Sequence, residues 1–355
     1  MEIVQPKLRF PEFKGDWNKK LIKEVLSIGS GRDYKHLEKG NVPVFGTGGL
    51  MNYVNDFLYD GETVCIGRKG TIDKPMYFDG KIWTVDTLFY TNKFINSTPK
   101  FIYNLFQRIN WKEYNEASGV PSLSKSTIEK IEIKLPLIEE QTRIANFLSS
   151  VDEKLNLLKE KKALLEDYKK GIMQKIFNQE IRFKDDNGED FEDWEEKSIG
   201  NILTIGSGRD YKHLNYGNVP VFGTGGLMTF VDSFLHQGET VCIGRKGTID
   251  KPMYYNGDIW TVDTLFYTHT FIESIPKFVY YVFQSINWKQ HNEASGVPSL
   301  SKSTIEQILI NVPSVAEQTK IANFLSAIDE KIALVSNQIQ DTQEYKKGLL
   351  QQMFV

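Results

Sequence analysis

A displacement of 177 residues maps one half of this chain onto the other. Trp17 recurs as Trp194, Arg32 as Arg209, Trp83 as Trp260, Gln141 as Gln318 and Phe177 as Phe354, with no insertion or deletion between Trp17 and Phe354. A direct repeat of this length decides the domain organisation. Only the lead-in differs. Phe10 to Trp17 is shorter than Phe183 to Trp194, where Lys184-Asp185-Asp186-Asn187-Gly188 makes a polar linker. Between Ser27–Thr91 and Thr204–Thr268, 53 of 65 positions are identical, whereas Trp17–Leu26 and Trp194–Leu203 share only a few. A copied core with diverged flanks points to exchange of the core alone, or to plain duplication with uneven drift.

Each copy has a globular part followed by a long helix. The globular part runs from Trp17 to about Pro136 and from Trp194 to about Pro313. Glu62–Ile66 and Ile82–Tyr90 are β-branched and aromatic runs bounded by glycine, so they read as strands. Pro99 to Tyr114 carries apolar residues at helical spacing. Ser126-Thr127-Ile128-Glu129 matches a capping box opening a short helix. In the long helix, Ile144, Leu148, Val151, Leu155 and Leu158 recur at steps of 4, 3, 4 and 3, continuing through Leu165, Ile172 and Ile176. The second copy supplies Ile321, Leu325, Ile328, Ile332, Val335, Ile339, Leu349 and Met353. These are heptad seams. Lys162, Thr342 and Lys346 interrupt them, where the chain either snorkels or pairs loosely. A helix of about 38 residues would be about 57 Å long. The cheapest partner for one seam is the other. Antiparallel pairing would relate the copies by an approximate two-fold axis; parallel pairing, or pairing with another protein, is the alternative.

Three clusters could bind an anionic partner. Ile66-Gly67-Arg68-Lys69-Gly70-Thr71-Ile72-Asp73-Lys74 sets adjacent cations between glycines, so the backbone can approach a phosphate closely. Arginine can fork onto guanine, whereas lysine meets phosphate as a point charge. Gly29 to His36 contributes Arg32 and Lys35. Gly119 to Ser126 contributes Ser122, Ser124 and Lys125 just before a helix N-terminus, which favours an anion. Val44 to Leu50 is glycine-rich but lacks dinucleotide or P-loop spacing, so it reads first as a turn, one that can also bring backbone amides around Thr47 close to a ligand. If that partner is DNA, the candidate contacts are Arg32, Lys35, Thr47, Arg68, Lys69, Thr71, Lys74, Ser122, Ser124 and Lys125. Their counterparts are Arg209, Lys212, Thr224, Arg245, Lys246, Thr248, Lys251, Ser299, Ser301 and Lys302.

The rest of the chain narrows the function classes. A net charge of −3 does not announce a nucleic-acid binder, but a local basic face supplies the field that matters at close range. No run of apolar residues is long enough to span a membrane, and Met1 to Lys7 lacks the layout of a signal peptide. Cys65 and Cys242 sit in the same local sequence and read as reduced, buried thiols of a cytoplasmic protein. No metal-ligand spacing, methyltransferase motif or nuclease motif appears, so no catalytic residue is assigned. From the residues alone, a coiled-coil spacer whose end domains bind protein or glycan stays open, as does a stand-alone nuclease or methyltransferase.

One set of motifs is more specific. Leu8-Arg9-Phe10-Pro11-Glu12-Phe13 leads to Trp17, and Gly61–Lys74, Trp83–Tyr90 and Gly119–Ser124 follow. Leu135-Pro136-Leu137-Ile138-Glu139-Glu140-Gln141-Thr142-Arg143-Ile144-Ala145-Asn146-Phe147-Leu148 opens the helix and recurs as Val312 to Leu325. On these markers the chain resembles the specificity subunits of Type I restriction-modification systems over nearly its whole length. The resemblance implies an α+β protein with two mixed α/β target-recognition domains, separated by long helices forming an antiparallel coiled coil with internal pseudo-two-fold symmetry. It places the first recognition domain at 1–136, the central helix at 137–178, the second domain at 179–313 and the C-terminal helix at 314–355. It implies a non-catalytic subunit that binds double-stranded DNA, two methyltransferase subunits and restriction subunits. This chain would hold no cofactor; S-adenosylmethionine would belong to the methyltransferase, and ATP with magnesium to the restriction subunit. The near-identity of the two cores departs from the usual pattern of unlike domains. It implies a near-palindromic target with inverted half-sites, centred about 34 Å apart. Asn52/Thr229, Tyr53/Phe230, Asn55/Asp232, Asp56/Ser233, Tyr59/His236 and Asp60/Gln237 are places where the half-sites could differ slightly.

Overall fold

A computed structural model describes residues 5–355. The leader and first-domain expectations for Met1 to Val4 lie outside them. The chain divides into two compact units, residues 1–159 with 337–355, and residues 160–336.

The first unit contains β1 (Asn18–Leu21), α1 (Ile22–Val25), β2 (Ser27–Ser30), β3 (Lys39–Gly46), β4 (Gly49–Val54), β5 (Tyr59–Asp60), β6 (Thr63–Gly67), β7 (Met76–Phe78), β8 (Lys81–Thr84) and β9 (Leu88–Asn92). It continues with α2 (Pro99–Phe106), α3 (Lys125–Glu129), β10 (Glu132–Leu135) and the first part of α4 (Ile138–Phe177). One four-stranded sheet has the order β2-β9-β6-β7 and is antiparallel throughout. A second has the order β4-β3-β8-β5, in which β3 and β8 run parallel. β1 and β10 form a separate antiparallel pair.

All five residues of β6 are buried, which is why Thr-Val-Cys-Ile shows no polar alternation. Its one hydroxyl is satisfied: Thr63 Oγ1 donates to the Thr91 carbonyl at 2.7 Å. The main core gathers Trp17, Ile66, Phe89, Phe101, Phe106 and Trp111 with Leu148 and Phe354. A smaller core of Val42, Val44, Val54, Trp83 and Val85 lies under the β3–β4 hairpin.

The second unit repeats this plan. It has β11 (Glu195–Ser198), α5 (Ile199–Ile202), β12 (Thr204–Ser207), β13 (Val219–Gly223), β14 (Gly226–Val231), β15 (Glu239–Gly244), β16 (Met253–Asn256), β17 (Trp260–Thr261) and β18 (Leu265–His269). α6 (Pro276–Ser285), α7 (Lys302–Gln307), β19 (Leu309–Val312) and the first part of α8 (Val315–Met353) follow. Its larger sheet has the order β12-β18-β15-β16.

Three local expectations need correction. Ile82–Tyr90 is two strands, β8 and β9, because the chain turns at Val85-Asp86-Thr87, where the Leu88 amide donates to the Val85 carbonyl. Pro99–Tyr114 is not one helix. α2 stops at Phe106, and Trp111–Tyr114 forms a separate 3-10 turn. The short helix starts at Lys125, with Ser124 as its cap accepting the Thr127 amide, two residues before the capping box read from sequence.

Both long helices form, at 40 and 39 residues. Within the first unit, Lys346 pairs with Asp152 at 2.7 Å, while Ile144 and Leu148 share a core with Met353 and Phe354. Numbers fall along α4 as they rise along α8, so these segments run antiparallel. Within the second unit, Lys169 pairs with Asp329 at 2.6 Å, and Met173 and Ile176 pack with Ile321, Leu325 and Ile328. The interruptions in the seam resolve individually. Lys346 donates to Asp152 and Gln107, Thr342 donates to its own helix at the Gln338 carbonyl, and Lys162 lies 3.7 Å from Glu166.

The helix-opening motif is a clamp. Glu140 is buried and accepts both arms of Arg9 at 2.7 Å, together with the Trp17 indole at 3.3 Å. Gln141, fully buried, accepts the Thr98 amide and donates to the carbonyls of Asn96 and Pro136. Glu317 and Gln318 repeat the arrangement with Arg182, Trp194, Ile275, Glu273 and Pro313.

Candidate nucleic-acid interface

The turn that carries Arg68 and Lys69 is built where β6 ends. A Cβ on Gly67 would lie 2.0 Å from the Thr71 carbonyl oxygen, so only glycine allows the chain to double back there. Gly70 follows with φ +94, and buried Ile72 pins the far side. The amides of Arg68 and Lys69 both donate to the Thr87 carbonyl, at 2.8 and 3.2 Å. The turn is thereby tied to the β8–β9 connection, and the Arg68 and Lys69 side chains are exposed.

A second segment is stitched alongside. The Gly70 amide donates to the Pro121 carbonyl at 2.8 Å and the Leu123 amide to the Arg68 carbonyl at 2.9 Å. Lys69 and Ser122 form an antiparallel bridge, and Leu123 is buried beneath it. Asn115 holds the intervening loop: its Oδ1 accepts the amides of Ala117 and Ser122, and its Nδ2 donates to the Ala117 carbonyl.

Two of the sequence clusters therefore meet. Arg68, Lys69, Ser122, Ser124 and Lys125 line one groove of about 490 Å³, with Ser30, Asp86, Phe89 and Glu116 completing its walls. Thr47, in the β3–β4 turn, approaches the Arg68–Thr71 turn but does not line the groove: its Oγ1 would lie 3.5 Å from a Cβ built on Gly70. Arg32, Lys35, Thr71 and Lys74 do not line it. The Arg32 amide donates to the Thr84 carbonyl and its own carbonyl accepts the Trp83 indole, which fixes the backbone and leaves the side chain exposed.

The electrostatics are uneven. Arg68 donates to the Asp86 carbonyl at 3.2 Å and lies 5.8 Å from the centre of the Phe89 ring, so its fork is aimed without being neutralised. Among the described residues, neither Arg68 nor Lys69 makes an ion pair, whereas Lys125 lies 3.6 Å from Glu129. Asp73, beside Lys74, is bonded by Lys112, which holds its carboxyl below the ordinary range.

The anion site expected before α3 is already filled. Glu116 accepts the Ser124 amide at 3.1 Å, the Ser124 hydroxyl at 2.7 Å and the Thr127 hydroxyl. The hydroxyl bonds from Thr127 and Ser124 hold its carboxyl below the ordinary range. Both the amide and the hydroxyl of Ser124 thus donate to the protein's own carboxylate. Glu116 and Asn115 were not among the candidates from sequence. The signal was present, because Asn115-Glu116-Ala117-Ser118-Gly119-Val120-Pro121-Ser122 recurs unchanged from Asn292 to Ser299.

The second unit carries the same site. Arg245, Lys246, Ser299, Ser301 and Lys302 line a groove of about 430 Å³ with Ser207, Phe266 and Glu293. Arg245 donates to the Asp263 carbonyl at 3.4 Å and lies 5.7 Å from the Phe266 ring centre. Thr224 borders Gly247 as Thr47 borders Gly70, while Arg209, Lys212, Thr248 and Lys251 lie outside the groove. The six diverged pairs lie along β4 and the segment after it, and none lines either groove. Tyr59 stacks on Tyr90 at 5.8 Å; its counterpart His236 lies tilted against Tyr267 at 5.7 Å. Cys65 and Cys242 are free and buried, and burial pushes both thiols up to about 12. Among the described residues, no cluster of metal-binding side chains gathers, and no helix is long and apolar enough to cross a membrane.

Comparison with known proteins agrees with this architecture. The model of the Type I restriction modification DNA specificity domain matches twice, at residues 14–167 and 191–343. A Type I restriction enzyme specificity subunit of Methanocaldococcus jannaschii is 24% identical over 340 residues, covering 82% of this chain and 76% of its own. A putative type I specificity subunit of Mycoplasma pneumoniae is 23% identical over 347 residues, covering 86% and 88%. The Type I system S subunit of M. genitalium has the same fold, with a TM-score of 0.70, 19% identity and 99% coverage of both chains. Matched in both of its copies, the chain belongs to the Type I restriction-modification family of DNA specificity subunits.

Proposed function

We propose that each groove reads one half of a bipartite double-stranded DNA target, and that the two half-sites are the same sequence in inverted orientation. The observation that carries this is the identity of the groove residues. Ser30, Arg68, Lys69, Asp86, Phe89, Glu116, Ser122, Ser124 and Lys125 each have the same residue 177 positions on. Identical walls favour identical bases. Arg68 and Arg245 are the base-reading forks, and Lys69 and Lys246 meet the flanking phosphates.

In this reading the chain is a non-catalytic recognition subunit of a cytoplasmic complex. Two methyltransferase subunits, using S-adenosylmethionine, modify adenines in the target. Restriction subunits supply ATP- and magnesium-dependent cleavage. Sequencing methylated adenines in DNA from cells carrying the system tests the proposal directly. The expected motif is a near-palindrome interrupted by an unspecified spacer; two unrelated half-sites would sink it.

A further inference from the structure

We propose that Glu116, and Glu293 in the second copy, is a specificity-determining residue: its free carboxylate oxygen accepts a hydrogen bond from a base amino group, cytosine N4 or adenine N6. This rests on the groove being the DNA-reading surface described above.

The geometry is one-sided. All the bonds that Glu116 accepts from Ser124 and Thr127 fall on Oε1. Among the described residues, no group donates to Oε2. The second copy repeats this, with Ser301 and Thr304 donating to Oε1 of Glu293 alone. One oxygen fixes the side chain and the other stays open on a groove wall. The backbone is fixed as well, since the Glu116 amide donates to the Ser122 carbonyl at 3.0 Å.

The charge is unexplained by this local structure. Capping Ser124 and Thr127 requires only an acceptor, and the amide oxygen of glutamine would supply one. Nor do the groove cations neutralise it: Glu116 forms no ion pair with Arg68 or Lys69, and Lys125 faces Glu129. A bare carboxylate beside the cations repels every phosphate, so it weakens binding to all DNA alike. The DNA groups that attract it are amino donors on base edges, which carboxylates accept in the major groove. Arg68 and Glu116 then form a complementary pair of readers: the arginine donates to a base acceptor and the glutamate accepts from a base donor.

The test uses the full chain assembled with its methyltransferase subunits. The probes are duplexes carrying the wild-type methylation motif, with each base pair of the half-site substituted in turn. The double variant Glu116→Gln/Glu293→Gln keeps the acceptor for Ser124 and Thr127 and leaves Tm unchanged. At one position per half-site its preference for an amino-bearing base should fall about ten-fold. Its affinity for a scrambled duplex should rise, because a like charge has gone. An unchanged preference at every position, with Arg68→Ala still weakening binding, overturns this inference alone. A uniform loss at all positions with a lowered Tm also overturns it, because that marks a purely structural cap. If Arg68→Ala/Arg245→Ala leaves binding intact as well, the groove reading falls and takes this one with it.

Discussion

Gly67 leaves no room for a Cβ, and Arg68 owes its position to that constraint. The turn is held by backbone bonds to Thr87, Pro121 and Leu123, none of which uses the Arg68 side chain. Arg68→Ala should therefore leave the fold intact and weaken specific binding by about 1–3 kcal/mol, measured by titration with target duplex. Arg68→Lys separates base reading from phosphate contact, the two roles open to this side chain. The charge and the salt dependence should persist, while discrimination at the contacted base is lost along with the fork. Binding that falls evenly across all sequences in the alanine variant would reduce Arg68 to a phosphate contact. The cysteines give a contrasting case. With the thiols pushed up to about 12, the thiolate is scarce below that pH. Cys65 and Cys242 should stay unmodified by a thiolate-directed alkylating reagent at pH 8 in the native chain, and both should react once urea unfolds it. Rapid labelling of the folded protein would show that the β6 and β15 strands open.

At the scale of elements, the seams were legible because heptad spacing survives surface drift, and the strand of Cys65 was legible because β-branched residues bounded by glycine have few other uses. The failures have physical causes. Ile82–Tyr90 reads as one strand because the Val85-Asp86-Thr87 turn contains no glycine or proline. The capping box fell two residues out of register because serine and threonine repeat at 122, 124, 126 and 127, and it is Ser124 that accepts the Thr127 amide. Lys346 and Lys162 look alike on the heptad, yet one meets a carboxylate from the facing helix and the other a neighbour on its own. Asp152→Ala would leave the largely buried Lys346 ammonium with Gln107 and the face of the Tyr103 ring, 6.0 Å away. We expect a loss of about 1–2 kcal/mol by urea unfolding, below the value for a fully buried pair because Asp152 is 32% exposed. Lys346→Met combined with Asp152→Leu should recover most of that loss. No recovery would mean the pair does more than neutralise a charge.

At the scale of the whole molecule, the repeat makes each experiment its own control. Arg245 sits on the same backbone bonds as Arg68, with amide distances to Thr264 of 2.8 Å matching those to Thr87. Arg68→Ala and Arg245→Ala should therefore lower affinity for the target by the same factor, to within roughly two-fold, measured on one duplex under one salt condition. A strongly unequal response would mean that the diverged residues along β4, or His236 where the first copy has Tyr59, change how the second groove meets DNA. Function was legible at this scale from the paired helix-opening motifs. The groove was not, because it joins segments about 50 residues apart whose backbone stitching leaves no pattern of residue types.

The division of the chain also sets an order of events on the ribosome. The second unit is continuous, residues 160–336, whereas the first is closed by residues 337–355. Leu349, Leu350, Met353 and Phe354 fill the core around Trp17 and Phe101, and they are the last of that core to be translated. The half synthesised first is thus the half completed last. While it waits, the nascent chain displays the apolar stripe of Ile144, Leu148 and Val151, a surface that chaperones hold and that a neighbouring nascent copy could occupy in its place.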